Sequence, residues 1–284
     1  MVASEPAWYI KLLAIAIMAV FVFMLVRALV ILALGAWRAL TQRIAAPAPL
    51  TLNWSEPKER FQPDSLLWAL ANVMVFSVRN GDAWDRLVLD EAKDVARDGL
   101  RTSWRIHNRQ SLIMQLRWLS EEGHRGELQR LARRFATMPQ EQFDQERAKA
   151  EQLRDGEDKS DLLWRMQVAR EDRDGIRYVD FLAWDLVRFI WLCRHGVHLG
   201  YLDEAEAPAM LLPISLRLQQ AYEGWEDCAD QFVRARGFWT GGNPAYDQSQ
   251  AAIRETIQLL RDDPQSPWKR MDWHMPLYAP RPDA

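Results

Sequence analysis

At 284 residues, 49% of them apolar and 26% charged, the chain can bury a sizeable core and does not have a disordered composition. Its 36 Lys and Arg against 39 Asp and Glu give a formal charge of −3 and no basic domain to grip nucleic acid, so no nucleic-acid partner is expected. Two cysteines are too few for a disulfide scaffold, and 14 tryptophans point to a core or interface filled with large rings.

The first predicted element is a membrane anchor over residues 1–44. From Leu12 to Trp37 the sequence is almost wholly apolar and longer than the roughly 20 residues that cross a bilayer, which predicts a single transmembrane helix. Arg27 within it must reach an interface or face another helix. A cleavable signal peptide is the rival reading, because Ala33-Leu34-Gly35 is built of small residues, but the run is too long and only Lys11 leads it. Arg27, Arg38 and Arg43 on the C-terminal side against Lys11 on the other place the N-terminus outside and the rest of the chain in the cytoplasm. Trp8, Tyr9 and Trp37 fall where interfacial aromatic belts lie.

Residues 45–63 carry Pro47, Pro49, Pro57 and Pro63 and read as a stiff, extended linker. A helical domain is expected over 64–263. Asp64 caps its first helix, which ends near Gly81, and a second amphipathic helix runs from about 83 to 98 with Gly99 as its C-terminal cap, the two forming a hairpin. Asn108 caps a third, which Gly123 ends. Residues 130–173 mix both charge signs densely and read as a solvated helical excursion.

Asp180 then opens a helix that is apolar around nearly its whole circumference, the mark of a buried one. Asp185 and Arg188, three apart on it, can pair and so reduce the cost of burial. Gly196 and Gly200 provide its exit, and Asp203 with Glu206 forms a capping box for the next helix, in which Pro213 should produce a kink. A helix begins at Gly224-Trp225 and ends at Gly237, and another covers about 246–261. The Pro- and Trp-rich stretch 264–284 reads as an extended tail over the surface. With no strand alternation, the fold class is all-α: one N-terminal transmembrane helix followed by a multi-helix globular domain.

The ordered motifs Trp104-Arg105-Ile106, Gly123-His124-Arg125, Ala183-Trp184-Asp185-Leu186-x-Arg188, Gly200-Tyr201-Leu202, Tyr222-x-x-Trp225 and Arg236-x-x-Trp239 resemble the bacterial family called domain of unknown function 1266 over roughly 103–240. The resemblance implies a bacterial, mostly helical domain and no particular reaction. It makes the membrane of the topology above a bacterial inner membrane.

The chain has no HExxH, no GxxxxGK[ST], no GxGxxG and no GxSxG, and no cofactor or metal is expected. Cys193, His195, His198 and Cys228 offer thiolate and imidazole, but at a spacing that suits no zinc knuckle. Gly241-Gly242 reads as a turn rather than a phosphate cradle. Candidates for acid–base work are His124, Arg125, Asp185 and Arg188, with Glu121 and Glu122 beside them, and the competing structural reading is that they tie helix ends together. Arg194, Tyr201, Trp225 and Trp239 are candidate binding residues, and a mouth is expected where 194–201 approaches the 123–125 break. The reading that follows is a membrane-anchored interaction module with a protein partner. The alternatives are a hydrolase-like enzyme using the His/Arg/Asp cluster and a toxin-system effector or immunity protein.

Overall fold

The computed structural model describes residues 50–243 and 246–278. The chain divides into two units, Met1–Pro49 and Leu50–Ala284, and every described helix belongs to the second. The transmembrane helix expected at 12–37, with its anchor, lies outside the described residues. Among the described residues there is no strand, and no helix is long and apolar enough to cross a membrane.

Twelve α-helices are described: α1 Ser65–Ala71, α2 Met74–Asn80, α3 Lys93–Trp104, α4 Arg109–Glu121, α5 Arg125–Thr137, α6 Gln140–Glu151, α7 Glu157–Glu171, α8 Leu182–His198, α9 Ala207–Ala221, α10 Trp225–Trp239, α11 Asp247–Asp262 and α12 Pro267–Arg270. The centre is α8, the helix that the sequence marks as apolar all round, and 15 of its 17 residues are buried. Helices α4, α9 and α10 pack along it, α5 touches it, and α7 covers α5. The close approach of α4 depends on Gly196, where an added Cβ would stand 2.4 Å from Leu112 Cδ2 and 3.0 Å from Leu202 Cδ1. The exit glycine is therefore Gly200, at φ +73°, while Gly196 stays helical and makes room.

Several expected boundaries shift for identifiable reasons. Asp64 does cap the first helix, accepting from Leu67 N at 2.7 Å, but that stretch forms two short helices rather than one. Residues 82–92 are not helical, because short acidic side chains take the backbone donors. Asp82 accepts from Asp90 N at 2.8 Å and Asp90 from Ala83 N at 2.8 Å, the local competition that Asp offers a helix. The helix starts only at Lys93, and Gly99 lies inside it. Asn108 caps α4 in a reciprocal box with Ser111. The predicted Asp203–Glu206 box is half made: Glu206 Oε2 accepts from Asp203 N at 2.8 Å, and Glu206 itself is the cap residue of α9. Helix α10 runs through Gly237 to Trp239.

Two segments read as accessories are built into the domain. In the described part of the proline-rich linker, Leu52 is buried, Ser55 N donates to Asp85 Oδ1 at 2.7 Å, and Trp54 packs edge-on against Phe61 and Trp84. The C-terminal stretch contains α12 and places Trp273 in the core rather than over it. Its ring lies 4.7 Å from Trp68 and 4.8 Å from Trp225, its Nε1 donates to Tyr222 O at 2.9 Å, and its carbonyl accepts from Trp68 Nε1 at 3.0 Å. The indoles there find the partners that buried Trp requires.

Trp273→Ala would empty that space and leave the Tyr222 carbonyl without its indole donor, so a loss of about 3–5 kcal/mol in urea unfolding is expected. A surface tail would give no measurable change.

Candidate functional site

The candidate cluster is assembled from the end of α4, the start of α5 and the first turns of α8. Asp185 has no exposed side-chain surface, and its carboxylate is met by four donors. Oδ1 accepts from His124 N at 3.0 Å and from Arg188 Nη2 at 2.7 Å, and Oδ2 accepts from Arg125 N and Arg125 Nη1, each at 3.1 Å. His124 is the N-cap of α5, which has no capping bond of its own. Asp185 thus caps α5 from another helix, satisfying orphan amides at the positive end of that helix.

Gly123 makes this approach possible. It sits at φ +58°, and a Cβ there would lie 1.9 Å from Asp185 Oδ2. The two arginines extend the junction. Arg125 donates to Leu119 O at 2.8 Å and Ser120 O at 2.9 Å and also reaches Glu121 O, closing the C-terminus of α4, and Arg217 of α9 adds a bond to Ser120 O at 2.7 Å. Arg188 donates from Nε to Trp184 O at 2.7 Å and lies 4.0 Å from the centre of the Trp184 ring, a cation–π contact.

Burial pushes the Asp185 carboxyl up, but the Arg188 guanidinium and the amides of His124 and Arg125 outweigh it and hold the group below the usual carboxylate range. Burial brings Arg188 down to about 10, partly opposed by Asp185. The pair is ionised at neutral pH. Arg188 Nη2 also lies 2.9 Å from His124 Nδ1, and because a guanidinium only donates, Nδ1 is the acceptor and the neutral ring carries its proton on Nε2. That ring lies between Trp118 and Trp239 on a side chain 28% exposed, with Nε2 outside the junction's bonds.

The predicted binding residues do not converge. Arg194 is buried 2% exposed, donating to Ser77 Oγ at 2.6 Å, Ala83 O at 2.9 Å and Arg86 O at 2.8 Å, and so clamps the 82–92 segment. Tyr201 offers its carbonyl to Arg109, which also grips Glu206. Trp225 is interior and donates to Met271 O. Trp239 alone borders the cluster, with its ring 6.0 Å from His124. The expected mouth does not form: the 123–125 break meets the beginning of α8, about 14 Å along the axis from Arg194 at helical rise.

The other motifs resolve similarly. Gly241 and Gly242, both at positive φ, let α7 approach, since added Cβ atoms would stand 2.3 Å from Asp161 Cγ and 2.3 Å from Trp164. A carboxylate where a phosphate would lie is the wrong charge for a cradle. Cys193 and Cys228 are buried, Cys228 beside Asn72 Oδ1, and no group of three metal-ligating side chains is arranged for an ion among the described residues. Sequence reasoning missed Gly123 as a steric requirement and did not foresee the exposed face of α4. There Ile113, Met114, Arg117 and Trp118 line a groove of about 670 Å³, and Met114 is 66% exposed. The spacing 110, 114, 117, 121 opposite the buried Leu112, Leu116 and Leu119 was the available signal.

Fold and cluster together define an all-helical, tryptophan-rich domain arranged around one buried helix whose ionic junction joins helix ends. The model of the family described as Protein of unknown function (DUF1266) matches residues 99–273, and the chain belongs to that family. The match extends past the 103–240 motif region to Trp273. Over 177 residues the chain is 24% identical to the uncharacterized protein YbeU of Escherichia coli (strain K12), an alignment that covers 58% of this chain and 65% of that protein. No solved structure matches.

Removing one member of the junction should cost stability first. Asp185→Ala, which leaves Arg188 buried and unpaired and α5 uncapped, is expected to lose about 3–5 kcal/mol in chemical denaturation.

Acid should weaken the far end of α8. Burial holds His195 down to about 4 and lowers His198. Both rings are neutral when folded, so their contribution is complete above the unfolded value of about 6.5 and falls as pH drops towards about 4. The urea midpoint should decrease between about pH 7 and about pH 5, and His195→Gln should flatten that slope.

Proposed function

We propose that the chain is a membrane-anchored domain of a bacterial inner membrane, with the N-terminus outside and the helical domain in the cytoplasm, that acts by binding a protein partner. The anchor and its orientation rest on the apolar run 12–37 and its flanking charges. The interaction reading rests on one contrast. In the polar cluster every hydrogen-bonding group of Asp185 and most of those of Arg125 and Arg188 are engaged within the fold, whereas the outer face of α4 presents Met114, Ile113 and Trp118 in a groove. As a base, an enzyme built on the cluster would have His124 Nε2 to offer, and that nitrogen carries the proton of the neutral ring. A hydrolytic base and its orienting acid need a free lone pair directed at substrate, and here Nδ1 is occupied by Arg188.

Two measurements test this. From detergent-solubilised membranes the full chain should be recovered in an assembly larger than one chain, and Met114→Asp should reduce that recovery about tenfold, while His124→Ala leaves it intact. Recovery of the wild type only as a single chain would overturn the reading. In spheroplasts the helical domain should resist added protease, and its digestion from outside would reverse the orientation.

A further inference from the structure

The face of α4 carries charges that its own helix disfavours. Arg109 stands in the first turn, where the helix end is positive, and Glu121 and Glu122 stand at the last, where it is negative. Arg109 has a reason within the fold, its pairing with Glu206 at 2.6 Å. The carboxylates of Glu121 and Glu122, and the guanidinium of Arg117, have no ion pair among the described residues. Between these ends runs the outward row Gln110, Met114, Arg117, Glu121, at the four- and three-residue steps with which one helix seats against another.

We infer that this face pairs with the same face of a second copy, the two α4 helices antiparallel about a two-fold axis near Gln115. In that arrangement Glu121 and Glu122 of each copy lie over the N-terminal end of the other helix and beside its Arg109, so the charges that are misplaced within one chain become correctly placed across two. Ile113 of each copy faces Trp118 of the other, and Met114 fills the seam. Such a pairing is isologous: one patch serves both sides. The inference rests on the interaction reading above and names its partner. An anionic lipid surface is a poorer occupant, because it would repel Glu121 and Glu122 at the edge of the groove.

The size of the contact sets its strength. A 13-residue helix is about 20 Å long. One such helix per copy buries less than the roughly 800 Å² per partner of a standard stable interface. The pair is therefore weak in dilute solution and depends on both copies being held in one membrane, where their effective concentration is high.

The test uses the full chain in its own membrane. Its two native thiols, Cys193 and Cys228, are buried at 0% and 4% exposure, and burial pushes the Cys193 thiol up to about 12, so the wild type is a blank for thiol-directed cross-linking. Met114→Cys should then react with a short bis-maleimide to give a species of twice the chain mass. Val95→Cys, at 56% exposure on α3 against 66% for Met114, should give about tenfold less. Adding Glu121→Lys and Glu122→Lys should cut the Met114→Cys product by about tenfold, since like charges then oppose across the axis. Tryptophan fluorescence of each variant checks that the fold is retained. Equal products from Met114→Cys and Val95→Cys, or no doubled species, would overturn the pairing. If Met114→Cys instead joins the chain to a different protein, the second-copy inference falls and the interaction reading stands. If it joins to nothing and Met114→Asp changes no assembly, both fall.

Discussion

The carboxylate of Asp185 is the constraint on which the rest of the arrangement depends. A charged group with no solvent contact must be surrounded by donors, and the chain supplies them from two helices: two amides from the start of α5, one guanidinium from that same turn and one from α8 itself. Each donor fixes something else. Arg125 holds the last carbonyls of α4, Arg217 brings α9 to the same carbonyls, and Arg188 lies against the Trp184 ring and orients His124. The packing of α4, α5 and α9 around α8 and the tautomer of His124 thus trace back to one group. This is also why the cluster reads as architecture: the carboxylate that would orient a base spends its four bonds on joining helix ends.

Much of this was legible in the sequence, and the reason is periodicity. The apolar circumference of 181–192 announces a buried helix, and a buried helix with Asp and Arg three apart announces their pairing, which is what α8 contains. Asn108 and Asp64 announce caps because their side chains can do little else so cheaply at those positions. What failed were features fixed by contacts distant in sequence. Residues 82–92 have helical periodicity, with Trp84, Leu87 and Val88 on one side, but Asp82, Asp85 and Asp90 bind amides there and in 55–56, and Arg194 clamps the carbonyls. The sequence does not say which donor an aspartate will find.

The candidate site divides along the same line. His124, Arg125, Asp185 and Arg188 do meet, because their separation of about 60 residues is bridged by a glycine that accepts a carboxylate against its backbone. Arg194 and Tyr201 do not join them, since they lie at and beyond the far end of a 17-residue helix, and Trp225 is taken up by the indole cluster with Trp68 and Trp273. The proline- and tryptophan-rich terminal stretch misleads for a related reason. Its composition is that of an exposed tail, yet Trp273 has the ring area and the single N–H donor that a core with a free carbonyl can use.

That last contact has a consequence for how the protein is made. Trp68 and Trp273 touch across 205 residues, so the space beside Trp68 and Trp225 stays open until residue 273 has been synthesised. Folding of the domain is therefore completed only once residue 273 has emerged, and a product terminated before it carries an open, ring-lined cavity that quality-control proteases and chaperones can recognise.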